Sequence, residues 1–199
     1  SRAGAWSPAL VELAMIRPDQ LPPLYPSDAV AGTVTAEAAA ASGLPAGLRV
    51  VVGMGDTAAT RLGSVGTDPA AALIYVGTAA WVNWPGRANR GCMLATTATG
   101  AALRWLRDIL SAPGARLTYE ALLAEGSSVP AGSQGLLFLP HLCGERGPFP
   151  NPRARGVFTG LTLHHARGHL VRAVVEGTCC HVRWLVEEGI VGSSVPAKA

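Results

Sequence analysis

No stretch of this sequence stays apolar for the roughly 18 residues of a membrane-spanning helix, and no secretory leader is visible at its start. The expected location is cytoplasmic, with no membrane partner. Charge is scarce too. Asp, Glu, Lys and Arg make up 15% of the residues, the net charge is +3, and the basic side chains are scattered. There is no Lys/Arg run of the kind that grips a phosphodiester backbone, so nucleic acid is not an expected partner. The four cysteines, Cys92, Cys143, Cys179 and Cys180, form no Cys-x-x-Cys pair. Cys179 and Cys180 are adjacent, which on a helix turns them about 100° apart and away from a shared metal. All four are expected as buried free thiols in a reduced compartment. Internal repeats and low-complexity tracts are absent.

What is present is a packed composition. Of 199 residues, 49% are apolar. That is enough for one domain with a sizeable core or for parts of two. The opening Ser1-Arg2-Ala3 and the closing "GSSVPAKA" carry no capping or packing signal and read as cut or frayed ends.

Strand and helix patterns alternate along the chain. A short helical pattern from Pro8 to Ile16 leads into the proline-rich "RPDQLPPLYP", an extended connector. "TAEAAAASGL" predicts a helix capped by Thr35 and closed by Gly43. "LRVVVG" predicts a buried strand, and Asp56 to Gly63 a loop opening a short helix. "GTDPA" is a turn, "AALIYVGTAAWVNW" holds the next strand, and "GCMLATT" another. "TGAALRWLRDIL" predicts a helix capped by Thr99, with Ala102, Leu106, Ile109 and Leu110 on one face. A helix is expected near 119–124 and a buried strand in "GLLFLP". "HLCGERGPFPNPRARG" reads as a long loop. A long amphipathic helix then turns Val171, Val174, Val175, Thr178, Val182 and Leu185 to the core. This alternation argues for an α/β fold, in which ligands sit beyond the carboxyl ends of strands.

Asp56 and the pair Gly77-Thr78 both fall at such ends. Asp56 follows Gly53 and Gly55, whose backbone can turn tightly. Its carboxylate could take a proton from a substrate hydroxyl. Asp is also a favoured helix cap, and the local sequence leaves both readings open. Gly77 removes a side chain where a phosphate must come close, and Thr78 with the N–H groups after it can donate to phosphate oxygens. An ordinary strand-end turn would use the same residues. Gly100 and Arg104 lie one helical turn apart and can face one side. Close helix packing is the plain alternative for Gly100, and a solvated charge for Arg104. His165 and His169 have i,i+4 spacing, but no Glu lies between them and no third ligand is evident. Hydrogen bonding near a helix start therefore accounts for them better than a metal. Glu145 beside Arg146 reads as a local ion pair that pins the loop.

Together these pieces resemble the FGGY carbohydrate kinases, the sugar-kinase branch of the actin-like ATPases. The most specific match is "GVFTGLTLHHARGHLVRAVVE", where Gly156, Phe158, Gly160, Leu161, His169, Leu170, Ala173, Val174, Val175 and Glu176 meet the family's C-terminal signature. "LLFLPHLCGERGPFPNPRARG" looks like the segment before that signature in xylulokinases. "VVGMGDTAAT", "YVGTAAW" and "TGAALRWLRD" resemble the catalytic-aspartate loop, the second phosphate motif and a nucleotide-contacting helix, in the family's order.

The resemblance implies an actin-like (ribonuclease H-like) fold present in part. Residues 1–68 would be the last segment of the sugar-binding N-terminal domain with the hinge, and 69–199 a partial nucleotide-binding domain. It implies ATP-dependent phosphorylation of a sugar hydroxyl, of a pentulose such as xylulose, by the intact enzyme, with ATP and Mg²⁺. Asp56 would be the catalytic base, Thr57 a substrate contact, and Gly77, Thr78, Gly100 and Arg104 the ATP site. The family's first phosphate loop and its glycine-rich adenosine motif are not in the sequence. The chain alone is accordingly expected to be inactive, with a non-catalytic fragment that binds nucleotide weakly or pairs with another chain as the alternative. A homodimer is the expected assembly of the enzyme.

Overall fold

A computed structural model describes residues 4–85 and 91–191. The closing "GSSVPAKA" lies outside the described residues. The chain divides into two compact units, Ser1–Gly63 and Ser64–Ala199. The expected boundary at 68/69 falls in the turn that follows the helix spanning this division.

In the first unit, Pro8 supplies the fixed φ of a helix start, and α1 runs Pro8–Leu13. A single 3₁₀ turn at Pro18–Gln20 precedes the extended proline stretch. Strand β1 (Val30–Thr33) pairs antiparallel with β2 (Arg49–Val51), with an irregularity between Val30 and Gly32. Helix α2 (Ala36–Ser42) bridges them. Its start is capped by the Thr35 hydroxyl accepting from Ala38 N, and its end by Gly43 at φ 76°. Helix α3 spans Asp56–Val65.

The expected burial of "LRVVVG" is not observed. Val50, Val51 and Val52 are 44%, 55% and 44% exposed, and no described residue of this unit is buried. A two-stranded ribbon has two faces and, within the unit, nothing to cover either.

The second unit carries a core. Strands β3 (Leu73–Val76), β4 (Ala80–Pro85) and β5 (Gly91–Ala95) form an antiparallel meander in that order. Helix α4 (Gly100–Leu110) follows, then α5 (Tyr119–Ser127), a 3₁₀ turn at Ser133–Gly135, and an antiparallel pair of β6 (Leu137–Leu139) with β7 (Val157–Thr159). The long α6 (Arg167–Val186) continues into a π turn, Glu187–Val191. Helices and strands alternate as expected, yet every described strand pair is antiparallel. The single strand expected in "AALIYVGTAAWVNW" is two, because Gly77–Ala79 folds back on itself through Gly77 N donating to Ala79 O at 2.9 Å.

Helices α4, α5 and α6 close on β6 around Ala102, Leu106, Leu122, Leu136, Phe138, Val171, Ala173 and Val174. Each fully buried Leu, Val or Phe contributes roughly 1.5–3 kcal/mol relative to exposure. Glycines make the crossings close: a Cβ on Gly177 would stand 2.2 Å from Phe138 O, and one on Gly168 2.6 Å from Glu125 O.

Periodicity misplaces some residues. Ile109 is 57% exposed, and in β6 only Phe138 is buried while Leu137 and Leu139 face outward. Val175, Thr178 and Val182 are half-buried and line an apolar groove of about 560 Å³ with Ile74, Val76 and Leu103. No helix among the described residues is long and apolar enough to cross a membrane.

Candidate phosphate-binding turn

The turn between β3 and β4 is built from behind. Helix α4 begins directly beneath it. Gly100 N donates to Gly77 O at 2.9 Å, Thr99 N to Thr78 O at 2.9 Å, and Ala101 N to Thr78 O at 3.0 Å. This approach needs the glycine, since a Cβ at Gly100 would meet Gly77 O at 2.6 Å.

Thr96, fully buried at the end of β5, ties the turn from the other side. Its N–H donates to Ala80 O at 2.8 Å, and its hydroxyl accepts from Ala80 N at 2.9 Å. That hydroxyl also bonds the Thr99 hydroxyl at 2.8 Å. Thr99 thus does not cap α4 as expected. Its side chain is drawn into this buried pair, and the turn carbonyls take up the first N–H groups of the helix.

A trans peptide points its C=O and N–H in opposite directions. With the carbonyls of Gly77 and Thr78 held inward by α4, the N–H groups of Thr78 and Ala79 must point outward. Neither has a partner among the described residues, and Thr78 is exposed. Two outward donors beside a threonine hydroxyl, backed by the positive end of an 11-residue helix, form the kind of donor set that suits an anion with several oxygens.

The structure brings Gly77, Thr78 and Gly100 together. Arg104 lies one turn along α4 from Gly100, exposed and without a partner among the described residues. Asp56 and Thr57 belong to the first unit. Asp56 is the first residue of α3 and exposed, reached by a backbone turn at Gly53 with φ 82°. Its carboxylate accepts from its neighbour's N–H, Thr57, at 2.7 Å, while Gly55 O takes the helix bond from Ala59 N at 3.0 Å. The carboxylate thus takes one of the free N–H groups of the first turn of α3, on an exposed residue.

Sequence reading missed the support behind the turn. In the loop after β6, Glu145 does not pair with the Arg146 guanidinium. Its buried carboxylate accepts from Arg146 N at 2.8 Å, Gly147 N at 3.4 Å and His141 Nδ1 at 2.9 Å. Arg146 Nη2 donates instead to Thr96 O at 2.7 Å. His181, reaching in from α6, donates through Nε2 to Gly147 O at 3.1 Å, and its Nδ1 is buried without a partner among the described residues. Burial holds the His181 imidazole below its ordinary pKa, outweighing the upward pull of Glu145 and the Gly147 carbonyl.

His141, Glu145 and His181 bring three ligand-type atoms within 4.8 Å of one another, the one such group among the described residues. Within the group His141 and Glu145 share one hydrogen bond, while His181 bonds Gly147 O instead. Position 181 is far from 141 in sequence, so no spacing signals the group.

His165 and His169 act as the plain reading has it. Their Nδ1 atoms accept from Thr162 N at 2.9 Å and Ala166 N at 3.0 Å at the start of α6. The cysteines differ from expectation. All four are free, but Cys143, Cys179 and Cys180 are exposed.

The model of the FGGY family of carbohydrate kinases, C-terminal domain, matches residues 78–190, and that of the N-terminal domain matches 2–63. A xylulose kinase from Lactococcus lactis is 32% identical over 195 residues, covering 89% of this chain and 38% of that protein. A gluconokinase from Bacillus licheniformis is 29% identical over 197 residues, covering 87% and 38%. The crystal structure of xylulose kinase from Rhodospirillum rubrum, 36% identical, superposes with a TM-score of 0.73 over 97% of this chain and 42% of that one.

The fold is thus part of the actin-like ATPase fold, with the end of an N-terminal domain and a partial C-terminal domain. The chain belongs to the FGGY family of carbohydrate kinases. It spans about 38% of the length of the curated relatives it matches.

Proposed function

We propose that the whole protein containing this chain transfers the γ-phosphoryl group of ATP to a sugar hydroxyl. The observation that carries this reading is the β3–β4 turn, with its carbonyls bound to α4 and the Thr78 and Ala79 N–H groups facing out. Gly77 and Thr78 hold the phosphates there. Gly100 lets α4 close on the turn, and Arg104 lies along the same helix toward the nucleotide. Asp56 is the general base, with Thr57 beside it as a substrate contact. Its carboxylate takes the proton of the attacking hydroxyl as the sugar oxygen bonds to γ-phosphorus and the bond to ADP breaks. Positioning and neutralisation of phosphate charge carry most of such a transfer. Mg²⁺ supplies part of that neutralisation when bound.

The substrate proposed is a pentulose such as xylulose, supported by the xylulose kinases among the relatives. A gluconokinase at similar identity makes a sugar acid the comparison to run. The test is ADP release by the whole protein with xylulose, gluconate and glycerol. Asp56→Asn should lower kcat by about 10²–10⁴-fold and leave ATP affinity within a factor of a few. Unchanged turnover would reject Asp56 as the base. The 199-residue chain alone is proposed to be inactive, because a first unit with no buried residue among those described holds Asp56 too loosely for a fixed geometry. Robust sugar-dependent ADP release from the isolated chain would overturn that.

A further inference from the structure

We propose that Arg146 is a positioning residue for the phosphate-binding turn, acting through Thr96. The inference rests on the reading of Gly77 and Thr78 as a phosphate site.

Thr96 uses its N–H and its hydroxyl to hold both polar backbone groups of Ala80, the residue that ends the turn. Its own carbonyl is the group left over, and the Arg146 guanidinium takes it at 2.7 Å. A carbonyl at this depth without a donor is costly, so Arg146 fixes the peptide plane from which the Thr96 contacts depart. The arginine is itself held at its base. Its N–H is bound by the Glu145 carboxylate. Glu145 N and O pair with Asn151 O and N, each at 2.9 Å. The following carbonyl, Gly147 O, is bound by His181 from α6. Neighbouring contacts follow the same line: Thr97 Oγ1 donates to Gly144 O, and a Cβ on Gly147 would stand 3.3 Å from Ala95 O.

A continuous route of hydrogen bonds therefore runs from α6 through the 141–151 loop to Thr96. From there it passes to Thr99 and Ala80, and so to the Gly77–Ala79 turn. On the phosphate-site reading the phosphates, not the base, meet the turn at the end of this route, so its loss should be felt by phosphates and not by the base.

The experiment compares ATP, ADP and adenosine binding by the whole protein with Arg146→Met, Arg146→Lys and Thr96→Val, alongside thermal unfolding. Arg146→Met and Thr96→Val should each weaken ATP and ADP about tenfold, with adenosine affinity and the sugar KM within twofold. Arg146→Lys, which keeps one donor, should recover most of the loss. Equal weakening of adenosine and ATP, or no weakening of either with Arg146→Met, would overturn the proposal. If Arg146→Met does not fold, Arg146→Leu and Thr96→Val carry the same comparison. Thr78→Val separates the two ideas. If it leaves ATP affinity unchanged, the phosphate-site reading fails. If it weakens ATP while Arg146→Met does not, only the positioning role fails.

Discussion

Replacing Gly100 by Ala tests the geometry of the turn most directly. The added methyl would stand 2.6 Å from Gly77 O, whereas even a C–H···O contact needs about 3.3 Å. The conflict is with backbone, which cannot swing aside as a side chain can. Helix α4 or the turn must therefore retreat by about 0.7 Å. That motion stretches the bonds from Gly100 N and Ala101 N, now 2.9 and 3.0 Å. Overpacking of this kind costs typically 1–3 kcal/mol. The better helix propensity of Ala returns at most about 1 kcal/mol. A net loss of about 1–2 kcal/mol placed on the turn corresponds to a roughly 5- to 30-fold weaker ATP interaction, at 1.4 kcal/mol per tenfold. The assay is ATP KM and ADP affinity of the whole protein, with sugar KM as the internal control. Gly100→Ala retaining both nucleotide constants within twofold would show that the closeness of α4 to the turn does not set the site.

Two further outcomes follow from the packing and the buried histidine. Gly177→Ala drives a methyl to within 2.2 Å of Phe138 O, where α6 crosses β6. The chain should lose about 1–2 kcal/mol of stability after the propensity gain, read as a Tm lowered by several degrees in thermal unfolding. His181 is held below its ordinary pKa by burial, so the unfolded chain takes up its proton first as pH falls. Its contribution to stability is whole above about pH 6.5 and is lost as pH drops from there toward the folded value. Denaturant titrations at pH 7.5 and 5.5 should therefore show lower stability at pH 5.5, with a smaller difference in His181→Gln. An equal pH difference in the variant would reject the assignment.

The segments most legible in the sequence were those where local chemistry and tertiary need coincide. Thr35 and Gly43 close α2 as their preferences dictate, and the 3.6-residue pattern of α6 finds Val171, Val174 and Leu185 in the core. The β3–β4 hairpin was not legible, because Gly77-Thr78-Ala79 carries none of the Asn-Gly or Asp-Gly pairs that announce a tight turn. Its reversal is stabilised by α4, an element that follows it by some twenty residues. The same holds for Glu145. Beside Arg146 in sequence it suggests an ion pair, but burial rewards a carboxylate that collects N–H donors, and the guanidinium finds the Thr96 carbonyl instead. Burial in the first unit failed for the opposite reason. "LRVVVG" has the composition of a core strand, and composition records what a strand is suited to pack against, not whether that surface lies within the same unit.

The candidate site is a neutral turn whose arrangement suits an anion. Helix α4 presents its first free N–H groups to the carbonyls of Gly77 and Thr78 and so has none left for a ligand. The helix field is not lost by this. Each carbonyl that accepts from the helix belongs to a peptide whose N–H, on the far side, is aligned with the helix axis dipoles and polarised by the bond behind it. The turn thus adds a last tier of donors to the helix, displaced to where the chain reverses and a threonine hydroxyl stands beside them. Such an arrangement requires that no side chain intrude between helix and turn, which fixes Gly100. It also requires that the turn not rotate about its own strands, which is the work of Thr96 at Ala80. If the orientation of those two peptides is what binds phosphate, then residues that never touch the nucleotide will govern its affinity as strongly as Thr78 does.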